Sequence, residues 1–286
     1  MGQITAQSVA ASAADILHQL QKLQNTSRVL YLAAHPDDEN TRMISWLEND
    51  RHIRTAYLSL TRGDGGQNLI GTELGAELGV LRTQELMQAR AIDGGEQYFT
   101  RAVDFGYSKT ADETFRQWDR DQVLADVVWV IRTYQPDVII TRFPPDARGG
   151  HGHHTASAML ALEAFDLAAE EGAYPEQLAY TDPWQVKRLF WNHSTWWRQN
   201  LDSIAAADDR YTVVDVGSYN GLLGLSCNEL ASYSRTQHKS QGFGVSVRRG
   251  STREYLQLLK GDKVSEEITD GIPSGWARYG WPEGDK

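Results

Sequence analysis

Two short stretches of this chain concentrate the side chains that could do chemistry. "YLAAHPDDEN", Tyr31 to Asn40, sets His35, Asp37, Asp38 and Glu39 into five positions directly behind an apolar run. "RFPPDARGGHGHH", residues 142–154, ends in His151, His153 and His154. Carboxylates that close repel one another, so the first stretch asks for an opposite charge or a reaction. A divalent ion held by His35, Asp38 and a histidine from 151–154 would supply it. His35 and Asp38 stand three apart around a Pro-restricted turn. His151 and His154, three apart at a helix start, would project to one side. Two nitrogens and one carboxylate leave a position open for water, the pattern of a catalytic zinc rather than a structural one. Asp37 is then free to take a proton from a water that the ion has acidified. Iron(II) suits the same N/O donors. Each stretch alone has a plainer reading. Asp37 or Asp38 could cap a helix whose dipole favours Glu39, and "HGHH" could be a solvated loop.

The elements around these stretches weigh against the plainer readings. "RVLYLAA", 28–34, and "VIITRF", 138–143, are short apolar runs of the kind that form buried parallel strands. "IRTAYLSLTRG" and "QYFTRAVD" continue the strand pattern. Helical spacing marks 11–24, "TRMISWLEND", "GTELGAELGVLRTQELMQARAIDGG", "DQVLADVVWVIRTYQPD" and "HHTASAMLALEAFDLAAEEG". Strands and helices therefore alternate, which predicts an α/β fold, a Rossmann-like three-layer sandwich with a mostly parallel sheet. "VKRLFWN" and "YTVVDVG" add strands, and "GLLGLSCNELASYSRTQHKSQ" a last helix. Ligands of such sheets gather at the carboxyl ends of strands, and both polar stretches follow a strand there. We expect one domain over 1–286, with a helical extension at 1–27 and a polar tail at 250–286 that packs on the core or leads into a further region.

Composition narrows the function classes. The net charge of −10 argues against a nucleic-acid partner. One cysteine, Cys227, excludes an internal disulfide and a cysteine zinc cluster. No run reaches the ~18 apolar residues of a membrane span. The N-terminus lacks a signal peptide's basic start and long apolar segment. "QITAQ" could still be a mature terminus left by signal removal, which would make the protein secreted or periplasmic. Nine Trp and twelve Tyr suit a large core, and also carbohydrate contacts such as stacking by Trp196 and Trp197. The Gly-rich "TRGDGGQN", 61–68, lacks the phosphate-loop pattern, so its glycines are expected to let backbone approach the site, with Arg62 and Asp64 lining it.

"AHPDDE" followed by H-x-x-H resembles the zinc-dependent de-N-acetylases of the LmbE and PIG-L type, over about Arg28 to Gln241. The resemblance implies a Rossmann-like sheet and removal of acetyl from N-acetylglucosamine groups on small-molecule conjugates. It makes His35, Asp38 and His154 the zinc ligands and Asp37 the general base. It makes His151 the group that stabilises the oxyanion and protonates the leaving amine. Arg82, in the R-x-x-E of "LRTQE", would contact a substrate hydroxyl, unless Arg82 and Glu85 merely form a surface salt bridge. Asp104 would bind the sugar, and "QHKSQ", 237–241, resembles a late H-x-S-Q element. One departure stands out. The family's H-x-D-H is here H-x-H-H, so His153 replaces the aspartate that keeps the first histidine protonated, and Asp146 could substitute. The resulting expectation is a zinc (or iron(II)) amidohydrolase acting on an N-acetylated amino sugar. The alternatives are a hydrolase of another amide or ester, and a non-catalytic sugar-binding module that retains the metal. The sequence does not set the oligomeric state.

Overall fold

Strand β1 (Arg28–Ala33) lies at the middle of the parallel part of the sheet, with β2 (Arg54–Ser59) on one side and β4 (Val138–Thr141) on the other. The computed structural model describes residues 11–195, 198–244 and 246–281; Trp196 and Trp197, expected above to stack on a sugar, lie outside them. The other strands are β3 (Glu96–Phe99), β5 (Arg188–His193), β6 (Tyr211–Asp215), β7 (Tyr219–Asn220), β8 (Leu225–Ser226) and β9 (Arg253–Gly261). The main sheet runs β3-β2-β1-β4-β5-β9-β6, and β7 with β8 forms a small separate ribbon. The five strands β3-β2-β1-β4-β5 pair in parallel; β9 is antiparallel to both its neighbours.

The helices are α1 (Ala13–Lys22), α2 (Thr41–Asn49), α3 (Ala76–Asp93), α4 (Ala111–Gln117), α5 (Arg120–Tyr134), α6 (Gly152–Leu167), α7 (Leu201–Ala207) and α8 (Cys227–Arg235). Strand residues point alternately to the two faces. Leu30 and Leu32 of β1 therefore join a core with Val127, Ile131 and Leu160 of α5 and α6, while Val29, Tyr31 and Ala33 join another with Met43, Ile44 and Leu47 of α2. The expected three-layer architecture is what the chain adopts. Among the described residues no helix is long and apolar enough to cross a membrane.

Three features differ from expectation. Helix α4, not anticipated, packs its Ala111 and Thr114 inward and is capped by Thr110. Strand β9 was not expected in the tail beyond Gly250: it is inserted between β5 and β6, so this part of the tail packs on the core, one of the two alternatives above. The last helix is shorter than the apolar pattern suggested: residues 221–224 turn into β8, and α8 starts at Cys227 behind a Ser226–Glu229 capping box. Helix α1 forms as expected, yet Ile16, Leu17, Leu20 and Leu23 are exposed and only His18 is buried.

The topology places the site. Strand order reverses between β1 and β4, which leave in opposite directions toward β2-β3 and toward β5. Their carboxyl ends frame the crevice where open α/β sheets bind ligands. "HPDDE" and "HGHH" follow these two strands.

Candidate metal centre and active site

The turn after β1 does not cap the next helix with its acids. Asn40 does so, accepting from the N–H groups of Arg42 and Met43 at 3.2 and 3.3 Å, and Asp37, Asp38 and Glu39 are left for other partners. The turn is closed by His35 N–H donating to Asp38 Oδ2 at 2.8 Å. Asp37 has φ 102°, a left-handed conformation that non-glycine residues adopt only when their surroundings impose it. Those surroundings are explicit. Asp37 N–H donates to Glu39 Oε2 at 2.9 Å, Arg235 Nη1 donates to Asp37 O at 2.9 Å, and Gln241 Nε2 donates to Pro36 O at 2.8 Å.

The second stretch begins α6, with His151 as N-cap: its Nδ1 accepts from His153 N–H at 3.0 Å. Gly152 is required there, since a Cβ would lie 2.2 Å from Thr110 O and 2.4 Å from Ser108 Oγ. The missed helix α4 thus presses on the start of α6 and fixes its three histidines. His154 Nδ1 lies 3.1 Å from Gly149 O, so it carries the proton and leaves the Nε2 lone pair 3.6 Å from Asp38 Oδ1. The ring of His154 stacks on Phe143 at 3.6 Å. His35 Nδ1 lies 3.1 Å from Asp38 Oδ2.

These three residues fit a divalent ion. Their ligand atoms all lie within 4.8 Å of one another. Tetrahedral ligands at zinc distances stand about 3.4 Å apart; the two histidines approach the two oxygens of Asp38, His35 Nδ1 at 3.1 Å from Oδ2 and His154 Nε2 at 3.6 Å from Oδ1. The outer contacts also match, because metal-binding imidazoles normally donate their second N–H to an acceptor. Gly149 O serves His154. For His35 the acceptor is His153, whose Nδ1 lies 2.9 Å from His35 Nε2. His35, His151 and His153 form a second group within the same limit. It lacks a carboxylate, and His151 Nδ1 is already occupied by a backbone N–H.

Electrostatics follow from this packing. Burial, then the charges of Asp38 and Glu39, push the Asp37 carboxyl up to about 7. Burial opposes ionisation of Asp38 as well, but His154 and His35 outweigh it and hold that carboxyl well below the usual range. Burial and the neighbouring His35 and His154 push His151 down to about 4, and burial with the same cluster pushes His153 down to about 2. His151 is therefore neutral at pH 7. With Nδ1 accepting, its proton sits on Nε2.

Other expected residues fall into place differently. Arg82 and Glu85 are both buried, so no surface salt bridge forms. Arg82 Nη1 and Nη2 donate to Gly63 O and Gln67 O at 2.9 Å each, and Glu85 accepts from Ser240 N–H and Oγ. The Gly-rich loop serves this contact: a Cβ on Gly66 would meet Arg82 Nη1 at 2.3 Å. Arg62 and Asp64 line a neighbouring hollow with Gly79 and Thr83 rather than the metal centre. Asp104, 7% exposed, caps Gly106 N–H at 2.8 Å and lies 3.7 Å from His153 Nδ1. Asp146 does not serve His151; Arg148 holds its carboxylate through Nε and Nη2 at 2.8 and 2.6 Å.

A cleft of about 520 Å³ opens beside the centre, and Asp37, Asp38 and His154 are among the residues that line it. Residues 30–165 match the PIG-L family, described as GlcNAc-PI de-N-acetylase. The chain carries a PIG-L domain. It is 30% identical over 186 residues to a 1D-myo-inositol 2-acetamido-2-deoxy-alpha-D-glucopyranoside deacetylase of Rhodococcus jostii RHA1, covering 57% of this chain and 60% of that protein. A protein of the same description from Streptomyces griseus is 27% identical over 214 residues, 68% of this chain and 63% of the relative. The chain thus spans about 60% of the length of these curated relatives. Among solved structures, the N,N'-diacetylchitobiose deacetylase of Pyrococcus horikoshii superposes with TM-score 0.53 at 18% identity, over 75% of this chain and 70% of that one. The 4-carboxy-2-hydroxymuconate hydratase GalB of Pseudomonas putida KT2440 gives the same TM-score at 19% identity, over 85% and 100%. These structures establish the fold. That one of them is a hydratase means the fold by itself does not select the reaction.

The PIG-L motif residues were legible from sequence. The partners that hold them were not: Glu39 Oε1 lies 2.7 Å from His238 Nε2 and 3.4 Å from Arg90 Nη2, all three buried. The signal was present in "QHKSQ", whose His238, Ser240 and Gln241 contact Glu39, Glu85 and Pro36.

Proposed function

We propose that the chain hydrolyses the acetamide of an N-acetylglucosamine-type sugar or conjugate, giving acetate and a free amine. His35, Asp38 and His154 would hold one divalent ion, zinc or iron(II). That ion would supply Lewis-acid polarisation of the acyl oxygen and acidify the attacking water. Asp37, at the cleft beside these ligands, takes the proton as water adds to the carbonyl carbon. The oxygen that gains the electron pair accepts a hydrogen bond from His151 Nε2–H, a neutral donor whose tautomer the His153 N–H fixes. When the C–N bond breaks, the nitrogen leaves with the electron pair and receives the proton that Asp37 holds. Its environment suits both steps, since the carboxyl is shifted toward neutrality. In this reading His151 polarises and orients, and Asp37 carries the proton in both directions.

The observation that carries the reading is a carboxylate outside the ligand set, fixed at positive φ beside that set and facing an open cleft. Acetate release should be measured on a panel of N-acetyl sugars, other amides and esters. Asp37→Asn keeps the shape and should lower kcat/KM by roughly 10³-fold, with the bound metal unchanged by elemental analysis. Metal bound with no turnover on any substrate would favour a binding module; equal activity in Asp37→Asn would remove Asp37 from the chemistry.

A further inference from the structure

Helix α1 turns its apolar side away from the protein. Ile16, Leu20 and Leu23 recur at i, i+4 and i+7 and form one stripe, with Leu17 beside it. His18, the buried residue of this helix, stands about 200° around from Ile16, so the stripe points outward. Polar contacts hold the helix in this pose: Lys22 pairs with Glu48 of α2, and the His18 ring lies 5.2 Å from that of His52. Trp276 Nε1 donates to Leu23 O at 2.7 Å, and the Tyr279 ring lies 6.1 Å from that of Trp276, so two aromatic rings extend the stripe past the end of the helix. Each of the six side chains leaves about half its surface open. At ~150–250 Å² for an aromatic side chain and somewhat less for an aliphatic one, the open apolar area is on the order of 500–600 Å². That is the upper end of what a monomer exposes, and such patches mark contact sites.

We propose that this face joins two copies of the chain about a twofold axis, their α1 helices crossing antiparallel at Leu20. Such a crossing sets the Ile16 end of one stripe against the Leu23 end of the other, so a single patch complements itself. Charge favours a second copy. Two chains of net charge −10 repel, and they associate more readily where the contact itself is neutral. The exposed residues that flank the stripe are Gln19 and Gln24, while Asp15 lies further round, bonded to Ser12. A membrane is the poorer partner, since helices that lie on lipid carry free Lys or Arg on their polar side. The one Lys of α1 is committed to Glu48. Residues 1–10, MGQITAQSVA, have only Met1, Ile4 and Val9 as apolar side chains larger than Ala, too few to cover six. Two faces of this size bury about 1,000–1,200 Å² together, the low end for specific interfaces, so the dimer should be reversible. The face lies near the amino ends of the strands, since Glu48 also accepts from Thr55 N–H at the start of β2. It is remote from the metal centre and does not rest on the hydrolytic reading.

Sedimentation equilibrium on the protein at ~1–300 µM reads the association directly, and we expect a monomer–dimer equilibrium with Kd on the order of 10–100 µM. Leu20→Glu brings two carboxylates together at the axis and should weaken it by at least about tenfold. Leu74→Glu, at an exposed leucine on the loop before α3, should leave it unchanged. Leu20→Cys should cross-link two copies by a disulfide under oxidised glutathione, because Cys227, the one native cysteine, is buried. Circular dichroism checks that each variant folds. A monomer throughout the concentration range would overturn the proposal. So would a dimer that survives in Leu20→Glu. A monomer that cosediments with phosphatidylcholine vesicles, and loses this in Leu20→Glu, would also overturn it and give the stripe to lipid.

Discussion

His153 is the residue at which this chain departs from the pattern of the proteins it resembles, and its surroundings assign it a task. It is fully buried, stacked 4.9 Å from the Trp118 ring, with Nδ1 against His35 Nε2 and, among the described residues, no hydrogen-bond partner for its own Nε2. By the resemblance, His153 stands where an aspartate would keep His151 protonated, a task an imidazole does not take over. In the fold its ring turns to His35 and becomes the acceptor that orients this proposed ligand. His153→Phe keeps the stacking on Trp118 and removes the acceptor. Metal affinity, measured by chelator competition, should fall roughly 10-fold or more, and His153→Asp should restore much of it. Unchanged affinity in His153→Phe would separate His153 from the metal centre.

At the scale of elements, the site is a turn clamped by helices that come from far along the chain. Glu39 looks like part of the reactive cluster, yet it faces inward. Burial works against its ionisation, but His238 and Arg90 prevail and hold its carboxyl down at about 2. Arg90 is in turn paired with Asp93, which accepts from Ser234 Oγ of α8. α3 and α8 are thereby joined beneath the turn after β1, and the Asp37 peptide is fixed through Glu39. His238→Phe removes the imidazole that contacts Glu39 Oε1 at 2.7 Å. Chemical denaturation should show a loss of about 3 kcal/mol, and kcat should fall more than KM rises, because Asp37 loses its orientation. His238→Gln retains an N–H donor and should recover part of kcat. Loss of stability with kcat intact would make the clamp structural only.

This clamp also marks the limit of what the sequence displayed. "HPDDE" follows its apolar strand almost directly and "HGHH" begins ten residues after Thr141, so their common rim followed from alternation alone. Glu39 and His238 are 199 residues apart, and nothing local pairs them. Strand β9 escaped notice because only Tyr255, Leu256 and part of its neighbours are deeply buried, and its exposed ends look like a polar tail. For α4, seven residues of "ADETFRQ" with a mixed pattern gave too little periodicity to separate helix from loop.

Over the whole molecule, one buried carboxyl ties the N-terminal helix to the sheet and should leave its mark on stability. Glu48, on α2, accepts from Thr55 N–H at the start of β2 at 2.5 Å and pairs with Lys22 of α1. Burial pushes its carboxyl up to about 7, with Lys22 opposing the shift. The sign follows from where the proton is held. Below the ordinary value of 4.5 both folded and unfolded chains keep it. Between 4.5 and about 7 the unfolded chain releases the proton while the fold retains it, so stability falls as pH rises and then levels off. His193, pushed down to about 4 chiefly by burial, acts in the opposite sense: its contribution is lost as pH falls from the ordinary 6.5 toward 4. The two overlap, so the whole protein's curve does not isolate Glu48. The difference between the wild type and Glu48→Gln does, because the amide that replaces the carboxyl cannot titrate and can still accept from Thr55 N–H. Relative to the wild type, Glu48→Gln should gain on the order of 3 kcal/mol between about pH 4.5 and pH 7.5, read from urea denaturation at closely spaced pH values. A flat difference would mean that Lys22 keeps Glu48 ionised throughout, and that α1 is held to the sheet by a standing ion pair.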